Sequence, residues 1–251
     1  MTTMDTETET QAAPPRQHKK LALVNARLID PGSSLDAFGG LLIANGTIAD
    51  LGMHITEGLI EGAEYLDCGG RTVAPGLIDM MVFCGEPGHE HRETLATASR
   101  AAAAGGVTTI CCMPSTDPVI DDVALVDFIL RRARDTALVH VHPMAAMTRE
   151  LKGKEMAELG LLREAGAVAF TNGKLSVANA KLMRNVLSYA KDYDALIVHH
   201  LEDADLAEDG VMNEGEVATR LGLRGIPTEA ETVMLDRDIR LVELTGGRYH
   251  A

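Results

Sequence analysis

The order of hydrophobic and polar residues changes once along the chain, near Val73. Before that point, short apolar stretches are separated by turn residues, and no stretch has helical spacing. Residues 21–30 are typical of a strand that ends at Pro31. Residues 40–44 and 47–51 are typical of a hairpin because Asn45-Gly46 lies between them. We therefore predict a small β-module over residues 21–72.

After Val73, apolar runs alternate with stretches in which apolar residues have helical spacing. The runs are residues 73–82, 107–113, 138–142, 167–170 and 196–200, and the helical stretches are residues 92–104, 121–134, 154–165, 177–189 and 228–244. Continuous apolar strands that alternate with amphipathic helices indicate parallel βα units, with both faces of the sheet covered. We predict an α/β fold, a (β/α) TIM-type barrel whose functional residues lie at the carboxyl ends of the strands.

The predicted barrel is incomplete over residues 73–251. Eight βα units take about 250 residues, so only the first five to six fit here, with a sixth strand near residues 247–251. An open parallel sheet exposes unpaired edges. We therefore expect either a piece of a longer protein or a chain that completes its sheet with a partner.

Composition and charge exclude some classes of function. The net charge is -14, which argues against binding to nucleic acid or to anionic membranes, because both attract basic proteins. No apolar run approaches the roughly 20 residues of a membrane span. Residues 1–20 are polar, and we predict a disordered tail without a signal peptide. We expect a cytoplasmic protein whose cysteines, Cys68, Cys84, Cys111 and Cys112, are reduced, buried thiols.

Several motifs follow one another along residues 21–251 and together resemble the dihydroorotase family of cyclic amidohydrolases. They are residues 75–79 (PGLID), 86–88 (EPG), 100–109 (RAAAAGGVTT), 112–118 (CMPSTDP), 200–203 (HLED), 221–227 (LGLRGIP) and 245–250 (TGGRYH). The resemblance implies a barrel of the amidohydrolase type that opens or closes a cyclic amide, interconverting dihydroorotate and carbamoyl-aspartate. It also implies one or two zinc ions, since bound zinc lowers the pKa of water toward about 7 and supplies a hydroxide.

The chain departs from the family's pattern where the first barrel strand ends. Met81 and Phe83 occupy the positions of the two metal-binding histidines, and Gly85 occupies that of the arginine that binds the substrate carboxylate. Phenylalanine has no donor atom, and a thioether is a poor zinc ligand. Ser115 occupies the position of the family's substrate-binding asparagine, and its hydroxyl is a candidate substrate ligand.

Two further family positions lie on later strands. The family has a metal-bridging carboxylate or carboxylated lysine where this chain has Asn172, Gly173 and Lys174. An amide cannot replace a bridging anion, so Asn172 is kept as a candidate substrate ligand. His200 retains the family's ligand position on the fifth strand and is the candidate metal ligand, while strand alternation predicts that His199 faces the helices. The family's remaining histidine and its general-base aspartate would follow Ala251.

Other histidines form rival candidate metal pairs. His140 and His142 share one face of the third strand, because alternate residues of a strand point the same way. His89 and His91 flank Glu90 in a loop. Neither pair matches a position that the resemblance assigns to a ligand.

Three hypotheses about function are consistent with these residues. The first is a dihydroorotase-like protein of pyrimidine biosynthesis that has lost catalysis, needs no cofactor, and is a structural partner of aspartate carbamoyltransferase, as the resemblance to bacterial pseudo-dihydroorotases implies. The second is an active, metal-dependent dihydroorotase or related cyclic amidase with a rebuilt site around His200. The third is a binding module for a pyrimidine intermediate, in which Arg149 or Lys174 would replace the missing cation. A homo-oligomer is compatible with each.

Overall fold

The structure, a computed structural model, describes residues 20–251. The chain divides into two compact units, Met1–Pro75 and Gly76–Ala251. The predicted tail, residues 1–20, lies outside the described residues apart from Lys20, which begins the first strand. Within residues 20–251, no helix is both long and apolar enough to cross a bilayer.

The first unit is a small sheet whose described part contains no helix. Its strands are β1 (Lys20–Asp30), β2 (Leu35–Ala44), β3 (Thr47–Gly52), β4 (Ala63–Asp67) and β5 (Thr72–Val73). The order is β3-β2-β1-β4, with β5 also paired to β1. The predicted hairpin is confirmed: Asn45 and Gly46 join β2 to β3 with φ of 54° and 77°, which a two-residue turn of this hand requires.

The second unit alternates strands and helices. Its elements are β6 (Leu77–Val82), α1 (Leu95–Ala104), β7 (Val107–Cys112), α2 (Val123–Thr136), β8 (His140–Pro143), β9 (Ala145–Ala146), a 3-10 turn (Arg149–Leu151), α3 (Leu159–Glu164), β10 (Ala169–Thr171), α4 (Ala180–Asp192), β11 (Leu196–Val198), α5 (Ala204–Ala207), β12 (Met212–Asn213), α6 (Glu216–Leu221), β13 (Gly225–Ile226), α7 (Glu229–Thr245) and β14 (Arg248–His250). The predicted α/β class is confirmed, and the predicted sixth strand is β14.

Parallel pairing gives this unit the form of an incomplete barrel. One sheet has the order β6-β7-β8 and the next has the order β14-β11-β10-β9. Only Met144 separates β8 from β9, and its N–H donates to Cys112 O at 2.9 Å. The two sheets are therefore continuous at this point. In the described residues, β6 and β14 are the outer strands of this arrangement.

The core lies between the sheet and the helices. Helix α4 buries one stripe of apolar residues, Met183, Val186, Leu187 and Ala190. They pack with the fully buried Phe170 of β10 and Ile197 of β11. Burying one such large side chain contributes roughly 1.5–3 kcal/mol. This packing fixes where each strand ends and therefore where the site residues lie.

Candidate functional site

A cavity of about 900 Å³ opens at the carboxyl ends of the barrel strands. Its lining includes Met81 from β6, Met144 between β8 and β9, Thr171 and Gly173 at the end of β10, His200 and Glu202 after β11, Glu231 from α7, and His250 from β14. This is the edge where barrel proteins of this architecture carry their sites. Two parts of this edge differ in chemistry. We call the segment Met81–Glu86 the β6 end, and His199–Glu202 with the α7 and β14 residues behind it the β11 end.

Apolar side chains fill the β6 end. Met81 lines the cavity and is 48% exposed. Phe83 is half-buried and packs against the cluster of Met113, Met144 and Ala169. The guanidinium carbon of Arg92 lies 4.7 Å from the centroid of the Phe83 ring. Neither of the two positions that the resemblance assigns to metal-binding imidazoles therefore offers a donor suited to zinc.

The backbone at Gly85 excludes a side chain. Gly85 has a φ of +65°, which is unfavourable for any residue with a Cβ. A Cβ there would collide with the carbonyl oxygen of Glu93 and lie 2.9 Å from that of His89. The His89 N–H closes this loop by donating to Gly85 O at 2.6 Å. The loss of the family's arginine is thus accompanied by a loop that has no room for one.

Glu86 holds the β6 end in place even though the ligand positions before it are lost. Its side chain is buried, and its Oε2 accepts from the Leu95 N–H at 3.0 Å, at the start of α1. Its Oε1 accepts from the Arg132 guanidinium of α2. One carboxylate therefore joins the loop after β6 to two helices, which gives Glu86 a structural role.

The candidate substrate ligands Ser115 and Asn172 do not line the cavity. Asn172 is buried, and its amide is used within the protein: Oδ1 accepts from the Thr148 N–H at 3.2 Å, and Nδ2 donates to Thr148 Oγ1 at 2.8 Å and to Leu151 O at 3.3 Å. Ser115 is half-buried and lies beside Gly173, where a Cβ would be 3.8 Å from its hydroxyl oxygen. The structure gives neither side chain a place facing the cavity.

The two adjacent histidines of the β11 end face opposite sides of the sheet, as strand alternation predicts. His200 lines the cavity and is exposed, and its carbonyl accepts from the Ser176 hydroxyl at 2.6 Å. The His199 side chain is fully buried against α7. His199 Nε2 accepts from the Val177 N–H at 2.8 Å, so the ring proton is on Nδ1, which donates to Asp238 Oδ2 at 2.6 Å.

Asp238 is the centre of a buried network behind the β11 end. Besides His199, it accepts from the Tyr249 hydroxyl at 2.7 Å and from Arg237 Nε at 2.8 Å. Arg237 also donates to the carbonyls of Val177 and Ala178 at 2.8 and 2.9 Å. The network therefore joins the loop after β10 to β11, α7 and β14.

The pKa values of this network follow from burial and hydrogen bonding. Burial alone would raise the pKa of Asp238, but hydrogen bonds from His199, Tyr249 and Arg237 outweigh it and hold the pKa below its ordinary value. Burial, with the neighbouring Asp238 carboxylate, raises the pKa of the Tyr249 hydroxyl far above its ordinary value. Asp238 is therefore a buried anion with three donors, and Tyr249 stays protonated.

The donor set does not fit the zinc site that the resemblance implies. Of Met81, Phe83, Asn172 and His200, only His200 offers an imidazole to the cavity. Within residues 20–251, no three His, Cys, Asp or Glu side chains lie close enough together to hold a metal. Catalytic zinc normally takes three protein ligands. These residues cannot supply them.

The remaining candidates lie apart from the cavity lining. His140 and His142 are exposed on one face of β8, with Cys111 of β7 paired opposite His142. Arg149 lies 3.5 Å from both Glu155 and Glu158, and Lys174 is exposed. Neither cation is among the residues that line the cavity.

The prediction of reduced cysteines is wrong for one pair. Cys84 and Cys112 form a disulfide with a Cα–Cα separation of 5.9 Å, while Cys68 and Cys111 are free. Cys112 ends β7 and pairs with Val82 of β6, so strand pairing brings it beside Cys84. Burial raises the pKa of the Cys111 thiol, with Asp79 adding to the shift.

Sequence reasoning missed Arg92 and the Arg237–Asp238–Tyr249 network. Asp238 lies 39 residues after His199, and only the packing of α7 on β11 brings them together. The apolar pattern of α7 does not indicate that Asp238 is one of the buried positions of this helix. Arg92 falls in a stretch that the pattern predicted to be helical, whereas α1 begins at Leu95.

Comparison with known proteins agrees with this fold. A family model described as dihydro-orotase-like matches residues 70–251. A dihydroorotase of Solibacter usitatus (strain Ellin6076) is 45% identical over 230 residues, which are 92% of this chain and 53% of that protein. A dihydroorotase of Pelotomaculum thermopropionicum is 47% identical over 231 residues, again 92% and 53%. The chain thus spans about half the length of the curated relatives it matches.

Solved structures show the same fold at lower sequence identity. The L-hydantoinase (dihydropyrimidinase) of Arthrobacter aurescens superimposes with a TM-score of 0.74 at 20% identity, over 92% of this chain and 52% of that one. A D-hydantoinase gives a TM-score of 0.70 at 22% identity, over 92% and 51%. These likenesses confirm the predicted (β/α) barrel fold.

Proposed function

Because the chain belongs to the dihydroorotase-like family, we propose that it is a protein of pyrimidine biosynthesis that does not catalyse the dihydroorotase reaction and is a structural partner of aspartate carbamoyltransferase. The relatives named dihydroorotase support the connection to pyrimidine biosynthesis. We further propose that it acts in the cytoplasm, where that pathway's soluble substrates would be available.

The β6 end is the observation that carries the proposal. Met81 and Phe83 offer no donor suited to zinc, and the left-handed backbone at Gly85 leaves no room for a substrate-binding cation. A change of one ligand could be offset by a neighbour. Here two metal positions and one substrate position differ together, and the loop backbone at Gly85 leaves no room for a side chain.

Retention of the framework supports a structural role. Glu86 and Asp238 are buried carboxylates whose donors are in place, and both hold loops at the same edge of the barrel. A scaffold that must present a shaped surface needs these contacts whether or not a metal is bound. The net charge of -14 would favour a partner with a basic face.

Dihydroorotate turnover by the full chain tests the proposal. The chain, shown to be folded by its cooperative thermal transition, is supplied with zinc in the absence of aspartate carbamoyltransferase. We expect no turnover above the protein-free rate. Copurification with aspartate carbamoyltransferase then tests the partnership, with a charge-reversed surface variant of the chain as the matched control.

Turnover that a chelator abolishes would overturn the non-catalytic part of the proposal. It would favour the alternative, an active cyclic amidase with a rebuilt site. His200 is the first residue to replace in that case, because its side chain lines the cavity.

A further inference from the structure

We propose that Arg92, held over the ring of Phe83, is a binding site for an anion, a carboxylate or a phosphate, where the chain leaves β6. This inference does not depend on the proposed function, because it concerns binding by the chain alone. Phe83 directly follows the last residue of β6, at the carboxyl end of a barrel strand, where such folds bind ligands.

The position of the Arg92 guanidinium is set by an aromatic ring. Its central carbon lies 4.7 Å from the centroid of Phe83, which is itself fixed by packing against Met113 and Met144. A cation stacked on a ring face gains attraction there and keeps its in-plane N–H groups available. The ring of His89 lies 6.1 Å from Phe83, and that of His91 lies 6.2 Å from His89. The loop thus places the His89 imidazole beside the same ring.

Every carboxylate of the same loop is already hydrogen-bonded elsewhere. Glu86 accepts from Leu95 N–H and Arg132. Glu90 accepts from the Gly88 N–H at 3.0 Å, and Glu93 accepts from the Thr94 N–H at 3.2 Å. None of these acids forms an ion pair with Arg92. Within the described residues, the loop therefore contains a cation whose neighbouring anions have other partners.

Two arginines of α2 form ion pairs, unlike Arg92. Arg131 Nε lies 2.8 Å from Asp127, and Arg132 is paired with the buried Glu86. Among the described residues, the Arg92 side chain stacks on the Phe83 ring and forms no salt bridge. A guanidinium has five N–H donors arranged to hold a planar or tetrahedral anion through two parallel bonds. An external anion would satisfy donors that this chain does not.

Titration with two anions, followed at the Arg92 Nε–H resonance by NMR, tests the proposal on the full chain. The probes are succinate and inorganic phosphate, with succinamide as the uncharged control for succinate. We expect saturable shifts with a Kd on the order of 1–10 mM, since a single exposed cation supplies few kcal/mol. Saturation by succinate alone identifies a carboxylate site, and saturation by phosphate alone identifies a phosphate site; either supports the proposal.

Variants separate a site from general charge attraction. Arg92→Gln should weaken binding at least tenfold, whereas Arg100→Gln, which removes an exposed arginine of α1, should leave it unchanged. Phe83→Leu should weaken binding about two- to fivefold, because the ring contributes a cation–π contact. Unsaturated shifts at the highest anion concentration, or equal losses in Arg92→Gln and Arg100→Gln, would overturn the proposal. These outcomes are independent of turnover and of copurification.

Discussion

The β6 end and the β11 end lie at the same edge of one barrel but differ in which of their polar side chains remain. The β6 end has lost its potential ligands and keeps a carboxylate, Glu86, that fastens the loop to α1 and α2. The β11 end keeps a cavity-lining imidazole, His200, in front of the hydrogen-bonded network centred on the buried Asp238. Side chains that would bind a metal or substrate can therefore be lost while neighbouring side chains that hold the backbone remain, even when the two are adjacent in sequence.

Removal of the Asp238 carboxylate should destabilise the protein most. Asp238→Ala leaves three donors without their acceptor, a buried one from His199 and partly buried ones from Tyr249 and Arg237. We expect a loss of roughly 3–5 kcal/mol in the free energy of unfolding, measured by chemical denaturation. Asp238→Asn keeps the shape and should lose less. A loss below about 1 kcal/mol for the alanine variant would show that the network does not hold this end together.

A side chain at Gly85 should distort the β6 end. Gly85→Ala combines a left-handed φ with a collision against the Glu93 carbonyl, and we expect it to cost roughly 2–4 kcal/mol of unfolding free energy. Gly106→Ala is the matched control, because Gly106 also has a positive φ but has open space around it. That control should cost only about 1–2 kcal/mol. Equal costs for the two variants would mean that the loop has room for a side chain.

Neutralising Glu86 should destabilise the β6 end without leaving a cavity there. Glu86→Gln retains the volume but weakens the contacts with Arg132 and the Leu95 N–H, and we expect a loss of roughly 1–3 kcal/mol by denaturation. The control is Arg131→Ala, which breaks an exposed pair with Asp127 and should cost less than about 1 kcal/mol. If both variants cost the same, Glu86 is not the anchor of this loop.

Acid should reduce the contribution of Asp238 to the free energy of unfolding. The pKa of Asp238 is lower in the folded protein than its ordinary value, so its contribution to stability is complete above about pH 4 and is lost as the pH falls through the folded value. The difference in unfolding free energy between the protein and Asp238→Asn should therefore shrink on acidification below about pH 4. A difference that stays constant down to about pH 2 would contradict this sign.

The smallest effect is expected at His200. Its side chain is exposed in the cavity, so His200→Ala should change the free energy of unfolding by about 0.5 kcal/mol or less. The neighbouring His199→Ala should lose an amount comparable to Asp238→Ala, because it removes the partner of both Val177 and Asp238. Similar losses of unfolding free energy for the two histidine variants would show that His200 stabilises the fold as much as His199 does.

Much of the fold could be predicted from local patterns. The Asn45-Gly46 hairpin, the alternation of strands with helices and the opposite facing of His199 and His200 all depend on spacing within one element. Boundaries were less accurate: the helix predicted over residues 154–165 is only Leu159–Glu164, because Met156 instead pairs with Thr148 and Arg149 N–H donates to Glu155 O. The short elements α5, α6, β12 and β13 carry too few residues for periodicity to show.

The candidate site was less predictable because its contacts join distant segments. The Cys84–Cys112 disulfide follows from the pairing of β6 with β7, which no local pattern encodes. The commitment of Asn172 to Thr148, 24 residues earlier, is equally invisible in the sequence. The sequence showed which ligand types were absent, but only the structure shows that Gly85 has no room for a replacement.

Zinc binding, measured by equilibrium dialysis of the full chain and of His200→Ala, tests the difference between the two ends most directly. We predict that neither protein holds zinc with a Kd below about 10 µM, because no three His, Cys, Asp or Glu side chains of residues 20–251 lie close enough together to hold the ion. Stoichiometric zinc in the protein that is lost in His200→Ala would contradict the account. It would show that the β11 end still forms a metal site.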